Sequence, residues 1–141
     1  MLMPDVNVLV YAHRDESPAH GRYAQWLTTM ATAREPFAIS EPVMQGFIRV
    51  VTNPRIFTPP STTKQAFQFL DALLSRSTCT VLRPGPVHWS IFRQLCEDHG
   101  VRGKLVADAA HAALAIETGC EWVTADTDFA RFAPALRWLH L

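Results

Sequence analysis

At 141 residues the chain has the length of one ordinary domain, 1–141, with room for a core of its own. Apolar residues make up 48% and charged residues 18%, which excludes a disordered chain. The 13 basic and 13 acidic side chains cancel, which excludes coating of nucleic acid by bulk charge but not a local basic patch beside an acidic site.

The first stretch with chemical content is Met3-Pro4-Asp5-Val6-Asn7-Val8-Leu9-Val10-Tyr11-Ala12, an apolar run with a carboxylate and an amide set into it. Met1 to Pro4 reads as a short buried strand with Asp5 at its end. An ionised carboxylate in such a setting loses its hydration, so Asp5 either caps an open end or is neutralised, most simply by a divalent cation. Val6 to His13 suits either a strand or two helical turns. Ala19 to Ala33 predicts a helix with Tyr23, Trp26, Leu27 and Met30 on one face.

Phe37 to Ile39 is a second strand. Ser40-Glu41-Pro42 opens a helix, with Val43, Met44, Phe47, Ile48 and Val51 facing the core and Asn53-Pro54 ending it. A helix over Thr63 to Leu74 turns Phe67, Leu70, Leu73 and Leu74 inward, and Thr80 to Leu82 is a third strand. Val87 to Asp98 predicts a helix striped by Trp89, Phe92, Leu95 and Cys96, with Gly100 as a left-handed cap. The alanine-rich helix from Gly103 to Thr118 is the strongest in the chain and stops at Gly119. Glu121 to Thr124 is a fourth strand, Asp126 to Phe132 a short helix and Leu136 to Leu141 a last strand. Short apolar strands alternating with helices predict an α/β fold, one parallel sheet covered on both faces.

In such a sheet ligands bind at the carboxyl ends of the strands. Asp5, Glu41, Asp126 and Asp128 all follow predicted strands, whereas Asp108 lies inside the alanine-rich helix. Asp108 is either a helix carboxylate paired with Lys104 or one aimed from an alanine-lined surface into an acidic pocket. Acids brought together stay ionised only around a cation, and an all-oxygen set suits Mg²⁺ or Mn²⁺ rather than zinc. Such a centre activates water for phosphoryl transfer.

Three segments together carry a resemblance: Asp5-x-Asn7 after the first strand, Asp108-Ala-x-His111-Ala-Ala-x-Ala115 in the late helix, and Val123-Thr-x-Asp126-x-Asp128-Phe129 behind it. They resemble the PIN-domain ribonucleases, above all the VapC toxins of type II toxin–antitoxin systems. The likeness extends over the whole chain, including Phe47-x-Arg49-x-x-x-Asn53-Pro54-Arg55. It implies a three-layer α/β/α fold around a five-stranded parallel sheet, a Mg²⁺ or Mn²⁺ centre, and cleavage of single-stranded RNA such as tRNA or rRNA loops. It also implies a VapB-like antitoxin and commonly a homodimer. Asp5 and Asp108 correspond to metal ligands and Asp126 to the late acidic position, with Asp128 beside it; Asn7 and Thr124 correspond to buttressing residues. The family's glutamate in the helix after the second strand is missing, since Gly46 stands there. Glu41, at the start of that helix, is expected to substitute for it.

His111 reads as a packed histidine rather than a ligand, because no second histidine stands at metal spacing. Arg49, Arg55, Arg102 and Lys104 are candidates for a phosphate-binding rim. The four tryptophans fall on apolar faces and read as core or interface. Cys79, Cys96 and Cys120 form no C-x-x-C pair, so a reduced, cytoplasmic setting is expected; with no membrane-length apolar run, no membrane association is expected. Two other readings remain: a haloacid-dehalogenase-like phosphatase, which would need an Asp where this chain has Asn7, and a PIN-like RNA-binding module that has lost turnover through Gly46.

Overall fold

The computed structural model describes residues 1–141. Five parallel strands stand in the order β3-β2-β1-β4-β5. They are β1 (Leu2–Pro4), β2 (Phe37–Ser40), β3 (Cys79–Leu82), β4 (Glu121–Thr124) and β5 (Trp138–His140). The helices are α1 (Val6–His13), α2 (His20–Thr32), α3 (Glu41–Val51), α4 (Thr63–Leu74), α5 (His88–His99) and α6 (Leu105–Thr118); a 3₁₀ helix covers Thr127–Phe132. No helix is long and apolar enough to cross a membrane.

The chain starts in the middle of the sheet, steps outward to β2 and β3, then returns to lay β4 on the other side of β1. The direction of winding therefore reverses between β1 and β4, where a crevice opens beyond the strand ends of an open parallel sheet. Register fixes which residues meet there. Pro4 lies opposite Val123, and the Asp5 amide donates to the Val123 carbonyl at 2.8 Å. Asp5 and the residues after Thr124 thus leave the sheet side by side.

One apolar cluster of 29 buried residues fills the interior. Met3, Phe37, Ala38, Ile39, Trp122 and Val123 are essentially inaccessible, so the central strands are covered on both faces. Val6 to His13 is a helix: Asp5 caps it, and Val8, Leu9, Val10 and Ala12 bury its inner side. Ser40 caps α3 and Pro42 occupies its first turn, as the sequence predicts. Gly100 adopts φ +57, the left-handed geometry that ends α5 without a Cβ clash.

Two predicted faces are rotated. On α4 the buried positions are Ala66, Leu70 and Leu73, which leaves Phe67 half-exposed. On α5 only Leu95 is buried, and Trp89 stands 70% exposed rather than within an apolar face. Trp122 is the one tryptophan buried in the core.

Candidate metal centre

Asp5 is 6% exposed and held by three donors. The Val6 amide donates to Oδ1 at 2.6 Å, while the Thr124 hydroxyl at 2.6 Å and the Asn7 side-chain amide at 3.0 Å both donate to Oδ2. Thr124 itself is fully buried and accepts from the Asp126 amide at 3.0 Å. Asn7 reaches across to the end of β4, where its Oδ1 accepts from the Ala125 amide at 3.1 Å. The two residues expected to buttress the site therefore clamp the ends of β1 and β4 together and hold the Asp5 carboxylate between them.

Asp5, Asp108 and Asp126 line a single cavity of about 380 Å³. Asp108 enters from α6 and Asp126 from the turn after β4. Burial pushes the Asp5 carboxyl up to about 6, against the pull of its Thr124 and Val6 hydrogen bonds, and the charges of Asp108 and Asp126 push the same way. Burial also raises Asp108, reinforced by Asp126 and Asp128 and opposed by Lys104 and Arg131. Asp108 forms no ion pair with Lys104; all four ion pairs of the molecule lie elsewhere.

The other expected acids do not line this cavity. Asp128 sits outside it: its amide donates to Asp126 Oδ1 at 2.8 Å, and its carboxylate lies 4.0 Å from Arg131. Glu41 pairs with Arg83 at 2.6 Å and lines a separate depression between α3 and α4. The expectation that Glu41 replaces the missing family glutamate therefore has no support in the geometry. β2 is one strand removed from the crevice, and Arg83, just past β3, takes the carboxylate. Gly46, in contrast, packs close to the site. A Cβ there would lie 2.8 Å from Val6 Cγ2, so any larger side chain would press on the residue that caps against Asp5.

His111 also lines the cavity, stacked on Trp122 with ring centres 5.3 Å apart. Burial holds its imidazole down to about 4, and its Nδ1 has no hydrogen-bond partner. It is a neutral packed ring, in line with the sequence reading.

No three His, Cys, Asp or Glu side chains are close enough to clasp one ion by themselves. That excludes a closed structural zinc site, which takes four protein ligands. It does not count against Mg²⁺, which keeps several waters and takes one or two carboxylates. The donor set is all oxygen and carries unbalanced negative charge, and it fits a hard, partly hydrated cation.

Comparison with known proteins identifies the family. The PIN domain model matches residues 2–134. The chain belongs to the PIN domain family. It is 48% identical to ribonuclease VapC43 of Mycobacterium tuberculosis over 140 residues, covering 99% of this chain and 95% of the relative. It is 39% identical to ribonuclease VapC25 of the same organism over 133 residues, 94% of each. Within the family the chain therefore groups with the VapC ribonucleases. Its fold matches the solved VapBC2 complex of Rickettsia felis bound to promoter DNA, with a TM-score of 0.71, 23% identity and coverage of 99% and 97%. It matches VapBC-1 of Haemophilus influenzae with a TM-score of 0.68, 15% identity and coverage of 99% and 96%. Membership of this family disposes of the phosphatase reading.

Proposed function

We propose that the chain is the ribonuclease toxin of a VapBC-type toxin–antitoxin pair, cutting unpaired RNA such as tRNA or rRNA loops at a Mg²⁺ or Mn²⁺ centre. The observation that carries this reading is the convergence of Asp5, Asp108 and Asp126 on one cavity at the reversal point of the sheet. These acids come from opposite ends of the chain, and their mutual repulsion is left for a cation to relieve.

In this reading one or two of Asp5, Asp108 and Asp126 would hold the ion directly and the remainder through the waters that complete its shell. When bound, the ion supplies an acidified water and offsets charge on the phosphoryl oxygens. The chain's own residues do the positioning. Thr124 and Asn7 fix the Asp5 oxygens so that the carboxylate does not reorganise when charge develops. Asp128, tied through its backbone to Asp126, holds the turn that presents the late acid.

The partner proposals rest on the relatives. VapC43 and VapC25 are named as VapC ribonucleases, and the similar solved folds are of VapBC assemblies. A VapB-like antitoxin, a second copy of the chain and a cytoplasmic setting accompany the proposal.

The test is cleavage of end-labelled RNA with Mg²⁺ or Mn²⁺. Chelator should abolish it, and Asp5→Asn should reduce it on the order of a thousand-fold, the several kcal/mol such a centre contributes. Cleavage that survives both treatments would overturn the reading. Saturable metal binding without cleavage would favour the RNA-binding module instead.

A further inference from the structure

The carboxylates account for only part of the cavity. Most of the rest of its wall is apolar, with Val6, Val10, Tyr11, Val50, Ile56 and Phe57 in it and Arg49 as its only Lys or Arg side chain. A hydrated ion has no use for an apolar wall. A nucleobase does, because its flat face gains by leaving water beside such a surface. The volume of about 380 Å³ falls in the range of small-ligand sites, roughly 300–1,000 Å³.

Arg49 lies in the last turn of α3, exposed, and forms no ion pair despite three carboxylates lining the same cavity. A free guanidinium there can meet an anion that the carboxylates would otherwise repel. Its planar fork suits the two free oxygens of a phosphodiester. Ile56 is 53% exposed at the edge of this wall, where it carries the apolar surface of the cavity out toward solvent. The loop that carries it is braced from behind. The Arg14 guanidinium lies 4.4 Å from the centre of the Phe57 ring and donates to Ser61 Oγ and the Pro59 carbonyl, each at 2.9 Å. The wall is therefore held in place before any ligand arrives.

We propose that this half of the cavity is a subsite for one unpaired nucleotide, with Arg49 on its phosphate and the Tyr11–Ile56–Phe57 wall against its base. The proposal deepens the ribonuclease reading and rests on it for the identity of the ligand. It makes Arg49 and Ile56 substrate-contacting residues, and it requires a base free of its stack, because only an unstacked base can lay its face on the wall.

The experiment measures binding of a fluorescein-labelled single-stranded oligoribonucleotide by anisotropy across a salt series, in the Asp108→Asn background so that no turnover occurs. Arg49→Gln should weaken binding about ten-fold and lower the salt slope by about one. Arg49→Lys should keep the slope and lose part of the affinity. Ile56→Ser should weaken binding at unchanged slope, and the loss should vanish when the oligonucleotide carries an abasic position at the contacted nucleotide. Both side chains are exposed, and circular dichroism verifies the fold. If Arg49→Gln leaves affinity and slope unchanged, or Ile56→Ser acts equally on the abasic strand, the subsite is overturned. Cleavage by the parent protein is scored separately. A protein that cuts RNA with Mn²⁺ while both variants bind and cut normally retains the ribonuclease reading and loses the subsite. A protein that cuts nothing loses the ribonuclease reading, and the binding series still decides the subsite.

Discussion

The two ends of α1 make opposite use of a buried polar group. At its start Asp5 is 6% exposed, and the ionisable groups that act on it are the acids Asp108 and Asp126. At its end Ser61 is also 6% exposed, but it stands between His13 Nε2 and Arg14 Nη1, each at 2.9 Å. Arg14 also binds Glu16 and holds that carboxylate below its usual range. The space beside Ser61 is larger, about 680 Å³, and lined mostly by polar and charged residues. Size and polarity would therefore select the wrong end. What separates them is charge balance: at Ser61 both signs are present and paired, while at Asp5 one sign accumulates and its carboxyl is pushed up to about 6. A network that satisfies itself is structural, and one whose charge a cation would balance points to a ligand.

The largest effect that can break this contrast is on catalysis. Asp108→Asn should lower RNA cleavage on the order of a thousand-fold, while Ser61→Ala should leave the rate per folded molecule unchanged. Comparable losses in both would mean that the contrast says nothing about chemistry.

Stability against pH sharpens the comparison further. The folded Asp5 carboxyl sits at about 6 against an ordinary 3.8, a difference of about two pH units, or about 3 kcal/mol at about 1.4 kcal/mol for each. A raised carboxyl favours the neutral form, so this contribution is fully present below about pH 4 and is lost as pH rises through about 6. Burial of Asp108 acts with the same sign. His111, held down to about 4, and His13, also lowered, gain stability over the same range, so the readout is the difference between chains. The stability of the metal-free parent relative to Asp5→Asn should fall between pH 4 and 7 in denaturant melts, and added Mn²⁺ should reverse that fall. A difference between the two chains that stays flat across this range would show that the Asp5 carboxyl is not buried among acids as the structure places it.

Most of this site is legible in the sequence, for a physical reason. Asp5 and Asp126 each follow a short apolar run, and strand ends are where open parallel sheets bind ligands. Asp108 is legible because a short acid among alanines on a helix has only Lys104 within reach as a partner. Glu41 follows a strand as well, yet lies elsewhere, because the rule needs strand order and order is not written in local pattern. Only β1 and β4 flank the reversal point, and β2 stands on the far side of β1. Phe67 and Trp89 fail differently. Helical spacing marks a stripe, but which edge of the stripe is covered depends on the neighbouring element, here Ala66, Leu70 and Leu73 on α4. Tyr11 and Ile56 carry no signal at all, since an apolar cavity wall and an apolar core read alike.

At the Ser61 end a smaller effect is expected. Ser61→Ala removes the hydroxyl shared by His13 and Arg14 and leaves the half-buried imidazole without that partner. A loss of about 1–2 kcal/mol should follow, the usual scale for an unsatisfied buried group. It should be insensitive to Mn²⁺, in contrast to the response at Asp5. A Ser61→Ala variant whose stability loss Mn²⁺ repairs would couple the two ends of α1 and dissolve the distinction between them.

The smallest expected effect is that of Glu41→Gln, and it is the most discriminating for the family's missing glutamate. The Glu41–Arg83 pair is open to solvent, with Arg83 67% exposed, and such pairs are weak and screened by salt. The substitution should leave melting temperature, Mn²⁺ affinity and cleavage rate at parental values. A fourth carboxylate at the position of Gly46 is opposed by Val6, which stands 2.8 Å from any Cβ placed there and whose amide is bound to Asp5. The close approach of α3 to α1 thus occupies the space a glutamate would need, and the site must work with the acids it has. A measurable fall in Mn²⁺ affinity on Glu41→Gln would mean that the side chain leaves Arg83 to join the cavity, and the three-acid description would then have to be extended to four.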